Sequence, residues 1–469
     1  MTATGVLAAV VSALVAAQAG APAYDVVIRS ARVLDPASGL DGVRNIGITG
    51  KKIAAVSADP LRGRTEIDAT GLVAAPGFID LHSHGQTPEN YRYKAMDGVT
   101  AALELEVGVS PVSEWYKARE GKSLIHFGAS AGHIPARMAV MKDSGGLLPR
   151  DAAMNRAATP EEQHAIEAIV RRDLDEGGVG MGMGITYTPT ATRDEILSLF
   201  QLAARFKRPV FVHMRGGDVV ASLQEVITDA AVSGAPLHVV HINSAATAKT
   251  PIALQMIEGA RARGLDVTTE AYPYTASMTE IASAAYSGWE QREPEYFAKL
   301  LWPATGERLT RESFARYRKQ GGFVIQFGNT DDMVRAAIAH PMVMIASDGI
   351  IENGKGHPRG AGTYARVLGK YVREDKALGL MDAVRKSSLM PAQRLEQMAP
   401  AMRQKGRLSV GADADIAVFD PGRVIDKATF ENAAQYSEGF RYVLVEGTFV
   451  VRDGTLQHGV APGQAIRAR

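Results

Sequence analysis

The feature that most constrains this chain is an alternation that runs from residue 76 to residue 397. Apolar runs of strand length take turns with amphipathic stretches at helical spacing. The runs include SLIHFG at 123–128, PVFVH at 209–213, LHVVH at 237–241, DVTTE at 266–270 and VMIASD at 343–348. The stretches between them open on helix-start signals. Thr159-Pro160-Glu161-Glu162 combines a capping box with proline in the first turn, ahead of Ile166, Ile169, Val170 and Leu174 on one face. Thr192-Arg193-Asp194-Glu195 repeats the box before Ile196, Leu199, Phe200 and Ala203. Strands alternating with helices build a parallel sheet, and about 320 residues of alternation favours closure into an α/β, TIM-like (β/α)8 barrel.

The flanks read differently. Residues 24–75 and 398–469 carry short strand-like runs separated by turns, such as VVI at 26–28 and IAVF at 416–419. Short strands cannot bury their faces alone, so the two ends are expected to pair into one small β-sandwich. Residues 275–340 interrupt the barrel rhythm with a long, polar and mainly helical pattern, which reads as an insertion covering the pocket like a lid. At the front, residues 6–17 are apolar and uncharged and are followed by AQA and APA, small residues at signal-peptidase spacing. The run is too short to span a membrane, so 1–23 is expected to be a signal peptide and the protein periplasmic or secreted. No Lys or Arg precedes it, the first basic residue being Arg29, and an apolar helix buried against the body of a cytoplasmic protein is the other reading.

Composition narrows the chemistry. With no cysteine the chain has no disulfide, thiolate nucleophile, iron–sulfur cluster or cysteine zinc site, so a metal must be held by His, Asp and Glu. Fifty-two Lys and Arg against 51 Asp and Glu leave a net charge of +1, which gives nucleic acid no electrostatic hold. The expected partner is a small-molecule substrate, with no stable membrane anchor; self-association into a homo-oligomer is compatible with that architecture.

Several strands end in groups that bind metals. In GFIDLHSHG at 77–85, His82 and His84 stand two apart and project the same way. His213 and His241 close two further apolar runs, and Asp348 closes another, where a carboxylate is costly unless paired or metal-bound. The strand C-termini form the active face of such barrels, and this nitrogen and oxygen set suits Zn²⁺, as one or two ions. His238 lies three positions before His241 and faces the other way. Glu104 and Glu106 share a face of the second strand; one reading pairs them with a cation in the barrel floor, the other makes Glu106, nearer the strand end, a metal ligand. The glycine-rich run at 177–184 follows a helix and enters a strand, the reverse of a dinucleotide loop, and reads as a crowded barrel strand ending near Tyr187. Tyr272 and Tyr274 follow the seventh strand, and Tyr274 is a candidate substrate contact beside Tyr187.

With these residues in place, the chain resembles the amidohydrolase superfamily, and within it the N-acyl-D-amino-acid deacylases, or D-aminoacylases. The likeness rests on PGFIDLHSH at 76–84, SDG at 347–349, HPR at 357–359 before RVLG at 366–369, and GRLSVGADADI at 406–416. It implies a metal-dependent barrel hydrolase of a linear amide. His82, His84 and Asp348 would form one metal subsite and His213 with His241 the other, while Asp348 moves the proton from water to the leaving amine. Tyr187 and Arg359 match positions that orient the substrate, the arginine through its carboxylate. Two departures stand out: Val107 occupies the place of the deacylases' cysteine ligand, so Glu106 reaches the site only through a shift or bulge, and Asn243 replaces a lysine that helps bind the substrate carboxylate. A dihydroorotase-like hydrolase of cyclic amides or lactones is the alternative on the same scaffold, although no lysine for carboxylation lies within 181–189. A barrel that binds without catalysis is the third reading.

Overall fold

The computed structural model describes residues 23–469, so all but the last residue of the expected export signal at 1–23 lies outside the described residues. Eight parallel strands stand side by side in chain order. They are β1 (Phe78–Asp80), β2 (Val99–Val109), β3 (His126–Gly132), β4 (Met181–Gly184), β5 (Val210–His213), β6 (Leu237–Val239), β7 (Val267–Ala271) and β8 (Val343–Ile345). Alternation along each strand sorts the apolar side chains into two layers. Leu103, Leu105, Phe211 and Met344 fill the barrel interior, whereas Val210, Val212, Leu237, Val343 and Ile345 face the surrounding helices.

The main-chain ladder stops between β8 and β1, and side chains close the seam. Asp80 accepts from Ser347 N–H at 2.9 Å and from the buried Lys94 ammonium at 2.8 Å, and Lys94 also donates to Ser347 Oγ at 2.5 Å. Asp348 N–H donates to the His82 carbonyl at 2.7 Å, which sets the two side by side.

The helix signals are met unequally. Thr159 and Glu162 form a complete capping box on helix Pro160–Asp175. Thr192 caps helix Arg193–Arg205 through Glu195 N–H, but the Glu195 carboxylate turns away to pair with buried Arg137 and His133 instead of completing the box.

Both ends of the chain join in one small β-domain, as expected, through a single nine-stranded sheet. Ile416–Phe419 pairs with Val73–Pro76, which stitches the C-terminal strands to the N-terminal ones. The sheet curls on itself: Ile53 N–H donates to Ala412 O and Ala414 N–H to Lys51 O, so Ile28, Ile48, Val418 and Leu444 share one apolar core. The last residues leave the sheet and run along the barrel, where Ile466 N–H bonds Phe127 O and its side chain joins the interior cluster.

The interruption after β7 is built differently from its expected helical pattern. Ala276–Glu280, Phe323–Phe327, Leu300–Trp302 and Glu307–Arg308 form a four-stranded antiparallel sheet around their own small core of Phe297, Leu300, Trp302 and Phe314. The subdomain ends there, because Val334, Ala337 and Ile338 of the next helix, Asp331–Ala339, pack into the barrel core. Among the described residues no helix is long and apolar enough to cross a membrane.

Candidate active site

β1 runs out at Asp80, and His82 and His84 project from the segment beyond it into one chamber. The Nε2 atoms of the two rings are 3.2 Å apart. Glu106 lies between them and a second histidine pair. Its Oε2 is 3.0 Å from His82 Nε2 and 3.1 Å from His84 Nε2, and its Oε1 is 2.7 Å from His213 Nδ1 and 3.8 Å from His241 Nε2. Asp348 completes the first group, with Oδ1 at 3.4 Å from His82 and 3.3 Å from His84. His82, His84, Glu106 and Asp348 thus form one candidate metal group, and Glu106, His213 and His241 a second that shares the same carboxylate. Of the two acids on β2, Glu106 sits at the centre.

A bulge puts it there. Pairing between β2 and β3 slips between Glu104 and Val109, where five steps on β2 match the two from Ala129 to Ala131 on β3. Gly108 turns at φ +70°, and a Cβ there would lie 2.6 Å from Gly132 Cα. The freed main-chain groups are met by side chains: Ser130 Oγ donates to Leu105 O at 2.8 Å and Val107 N–H to Glu104 at 3.2 Å. The small residues of β4 follow from the same bulge, since a Cβ on Gly182 would meet Glu106 O at 2.5 Å.

Outer carboxylates orient the first pair of imidazoles. Glu270 Oε1 is 2.6 Å from His82 Nδ1, and Glu104 Oε2 is 2.8 Å from His84 Nδ1. Each carboxylate accepts a hydrogen bond from Nδ1–H, which turns Nε2 toward the chamber as the candidate ligand atom. Glu270 is held in turn by His238 Nε2 at 3.1 Å, and His238 Nδ1 by Thr268 Oγ1 at 2.8 Å. Sequence reading missed Glu270; its signal was a lone acid inside a buried apolar strand.

The buried imidazoles and carboxylates of the cluster compensate one another's charge. Burial alone would lower the His82 imidazole, but the carboxylates of Asp348, Glu270 and Glu106 outweigh it and lift it to about 10. Burial would raise the carboxyls of Glu106 and Asp348. Hydrogen bonds from His213, His241, His82 and His84 hold Glu106 well below the usual range, and Arg359 with His82 does the same for Asp348. A divalent cation meets the same demand: two buried anions among imidazoles, with donor atoms of each group within 4.8 Å of one another, fit Zn²⁺ in both number and type.

The chamber is roofed by the insertion. Thr279 donates to the Tyr187 hydroxyl at 3.1 Å, and the Tyr187 ring meets the His213 ring at 5.0 Å. Arg359 is 1% exposed; its Nη1 lies 2.8 Å from Asp348 Oδ2 and its Nη2 donates to Met278 O at 3.1 Å. The Arg359 Nε and Nη1 are both buried with no hydrogen-bond acceptor among the described residues, so the contact to Asp348 is one of charge. Tyr274 is not among the residues that line the chamber: its hydroxyl donates to Asp426 at 3.1 Å and Arg366 covers its ring at 4.8 Å. Asn243, in the place of the expected lysine, is fully buried and donates to Tyr272 O at 3.0 Å.

A nearly closed parallel barrel with four histidines and two acids converging at its strand ends defines the class: a metal-dependent barrel hydrolase. A model described as the amidohydrolase family matches residues 65–451, so the chain belongs to that family. It is 30% identical over 497 residues to the N-acyl-D-glutamate deacylase of Alcaligenes xylosoxydans xylosoxydans, covering 94% of this chain and 96% of the relative. The D-aminoacylase of the same organism is 28% identical over 478 residues, covering 92% and 95%. Among solved structures, the N-acyl-D-glutamate deacylase of Bordetella bronchiseptica superposes with a TM-score of 0.82 at 27% identity, covering 95% of this chain and all of that one. That structure holds zinc and a phosphonate inhibitor that mimics the tetrahedral intermediate.

Proposed function

We propose that the protein is a zinc-dependent deacylase that hydrolyses the linear amide of N-acyl-D-amino acids. The observation that carries this is Glu106 between two histidine groups, with Asp348 beside one of them. His82, His84, Glu106 and Asp348 would hold one ion, and Glu106, His213 and His241 a second. Zinc bound there supplies a Lewis acid that acidifies water and polarises an amide carbonyl.

The chain's own groups do the rest. Asp348 is ionised at neutral pH and accepts the proton of the attacking water, then passes it to the departing amine. Arg359 pairs by charge with Asp348 and has Nε and Nη1 without hydrogen-bond acceptors to offer the substrate carboxylate, taking the part for which Asn243 offers no charge. The Tyr187 hydroxyl faces the carbonyl oxygen as a donor; burial raises its pKa well above the ordinary value, so it keeps its proton. The insertion excludes bulk water from these steps. Relatives named for N-acyl-D-glutamate and N-acyl-D-aminoacyl substrates support the D configuration.

The test is one sample measured two ways. Metal analysis should find zinc, and N-acetyl-D-amino acids should be hydrolysed in preference to their L forms and to small cyclic amides. A chelator should abolish turnover and added Zn²⁺ restore it. Turnover of cyclic amides alone would overturn the proposal.

A further inference from the structure

A second cavity, of about 650 Å³, opens at the face where the strands enter the barrel, opposite the metal chamber. Pro236, Asp266 and Met342, the residues just ahead of β6, β7 and β8, line it. Thr268 and Met344, the second residues of β7 and β8, line it too, so it reaches up between the strands. Its size is that of a small-molecule site, about 300–1,000 Å³. It shares no lining residue with the chamber.

Its charge is one-sided. Lys207, Arg261, Arg385 and Arg394 line it against the lone carboxylate of Asp266. Arg385 is partly answered from outside by Asp382, 3.4 Å away on the same helix, Leu380–Ser387. Neighbouring Arg208 donates to Arg469 O at 2.9 Å and is not part of the lining. The residue that decides is Arg394, on helix Leu389–Leu395, with only 3% of its side chain exposed. Its Nη1 donates to Asp266 at 2.6 Å, while Nε and Nη2 are buried with no acceptor among the described residues. Those two nitrogens share the guanidinium edge that takes two oxygens of one carboxylate or phosphate. Burial pulls the Arg394 guanidinium below its ordinary value; Asp266 opposes that fall and the charge of Arg261 adds to it. A buried cation with spare donors beside like charges is stabilised by an anion. The floor is apolar: Met344 and Met398 belong to the barrel's interior cluster and Met390 packs against it. Methionines adapt their shape to a ring or a chain.

We propose that this cavity is a second ligand site, one that binds a small organic oxyanion with its charged head on Arg394 and its apolar body on the methionines. The head is a carboxylate or a phosphate, since both present paired oxygens to a guanidinium. Lys207, Arg261 and Arg385 add attraction from the rim. The site is separate from the amide-cleaving reaction and stands whether or not the deacylase reading does.

Calorimetric titration of the full chain with phenyl phosphate and with phenylacetate tests this. At least one should bind with Kd below about 1 mM, and the one that binds identifies the head. It should bind about tenfold more tightly than inorganic phosphate or acetate, which carry the same heads without the ring. Benzyl alcohol, which has the ring without the charge, should not bind. Arg394→Gln should weaken the binding anion about tenfold or more by removing the fork. The double variant Lys207→Gln with Arg261→Gln changes two exposed rim positions and should weaken it about threefold or more. The rim variant alone decides the matter if Arg394→Gln does not fold. Both variants lie at the end of the barrel away from the metal groups, so an anion seated on zinc would keep its affinity in them. Unchanged affinity in either folded variant, benzyl alcohol binding as tightly as the anions, or no binding of either ringed anion at about 10 mM would overturn the site.

Discussion

Asp348 and His241 both sit in the left-handed region, at φ 52° and φ 33°. Such backbone costs on the order of 1–3 kcal/mol per residue and persists where the surroundings over-determine it. Here the hydrogen bond from Asp348 N–H to the His82 carbonyl pins the turn that aims its carboxylate. Asparagine tolerates this conformation, so Asp348→Asn should fold, with Tm lowered because Arg359 loses a buried charge partner, while kcat falls about 10²- to 10⁴-fold, as expected for loss of a proton-transfer group. Parallel Tm and stopped-assay measurements check it; a folded variant that keeps near-parental kcat would refute the proton-transfer role. Glu270 acts through His82. Burial would raise its carboxyl, but the His82 and His238 rings outweigh that and bring it to about 2, so it is an anion at any working pH. Glu270→Gln should weaken zinc about 10- to 100-fold in a chelator competition, with kcat of the zinc-saturated enzyme much less affected. His82, His84, His213, His241 and Asp348 were legible in the sequence as candidate ligands, because metal-binding side chains at or just past the ends of successive strands carry their own meaning. Glu270 was not, since its meaning comes from His82, 188 residues away, and no local pattern encodes that contact.

Among the elements, β2 and the insertion show where local pattern runs out. Strict alternation puts Glu104 and Glu106 on one face, which left their roles open; the bulge after Glu104 separates them, one against His84 Nδ1 and the other between the histidine pairs. Gly108 is the visible trace of that bulge. Gly108→Ala should destabilise the fold by about 1–3 kcal/mol from its positive φ alone, and the contact with Gly132 adds to that. Its zinc stoichiometry should fall with Tm, because Glu106 is displaced. A variant with lowered Tm and full zinc content would show that the bulge does not position Glu106. The insertion was legible as a break in rhythm but not as a sheet. Its strands are two to five residues long, too short for period-two alternation to stand out against charged stretches such as Arg311–Gln320 that do form helices.

At the scale of the whole molecule, the curled sheet and the barrel are joined by a buried charge cluster at the side away from the metal chamber. His126, the first residue of β3, places Nε2 3.1 Å from both oxygens of Asp415, just ahead of the strand Ile416–Phe419. Lys405 reaches Asp415 at 2.7 Å and Asp413 at 2.9 Å, and Asp415 also accepts from Glu446 N–H at 2.8 Å. Gln464 N–H donates to His126 Nδ1 at 3.0 Å, so the ring's other nitrogen carries the proton that faces Asp415. Residues from the barrel, the sheet and the terminal segment therefore depend on one carboxylate. Burial on its own would raise Asp415, but His126 and Lys405 outweigh it and hold the carboxyl well below the usual range. A carboxyl depressed on folding stabilises the fold above its unfolded pKa of about 4 and gives that stability up as the pH falls through the lower folded value. Asp415→Asn leaves Lys405 with a buried charge and one fewer partner, and should cost about 3–5 kcal/mol at pH 7. In urea unfolding the gap between variant and parent should hold from pH 7 down to about 5 and narrow as the parent's own carboxyl protonates. A gap that stays constant to pH 3 would assign the loss to shape rather than charge, and the two halves of the molecule would then be held by packing alone.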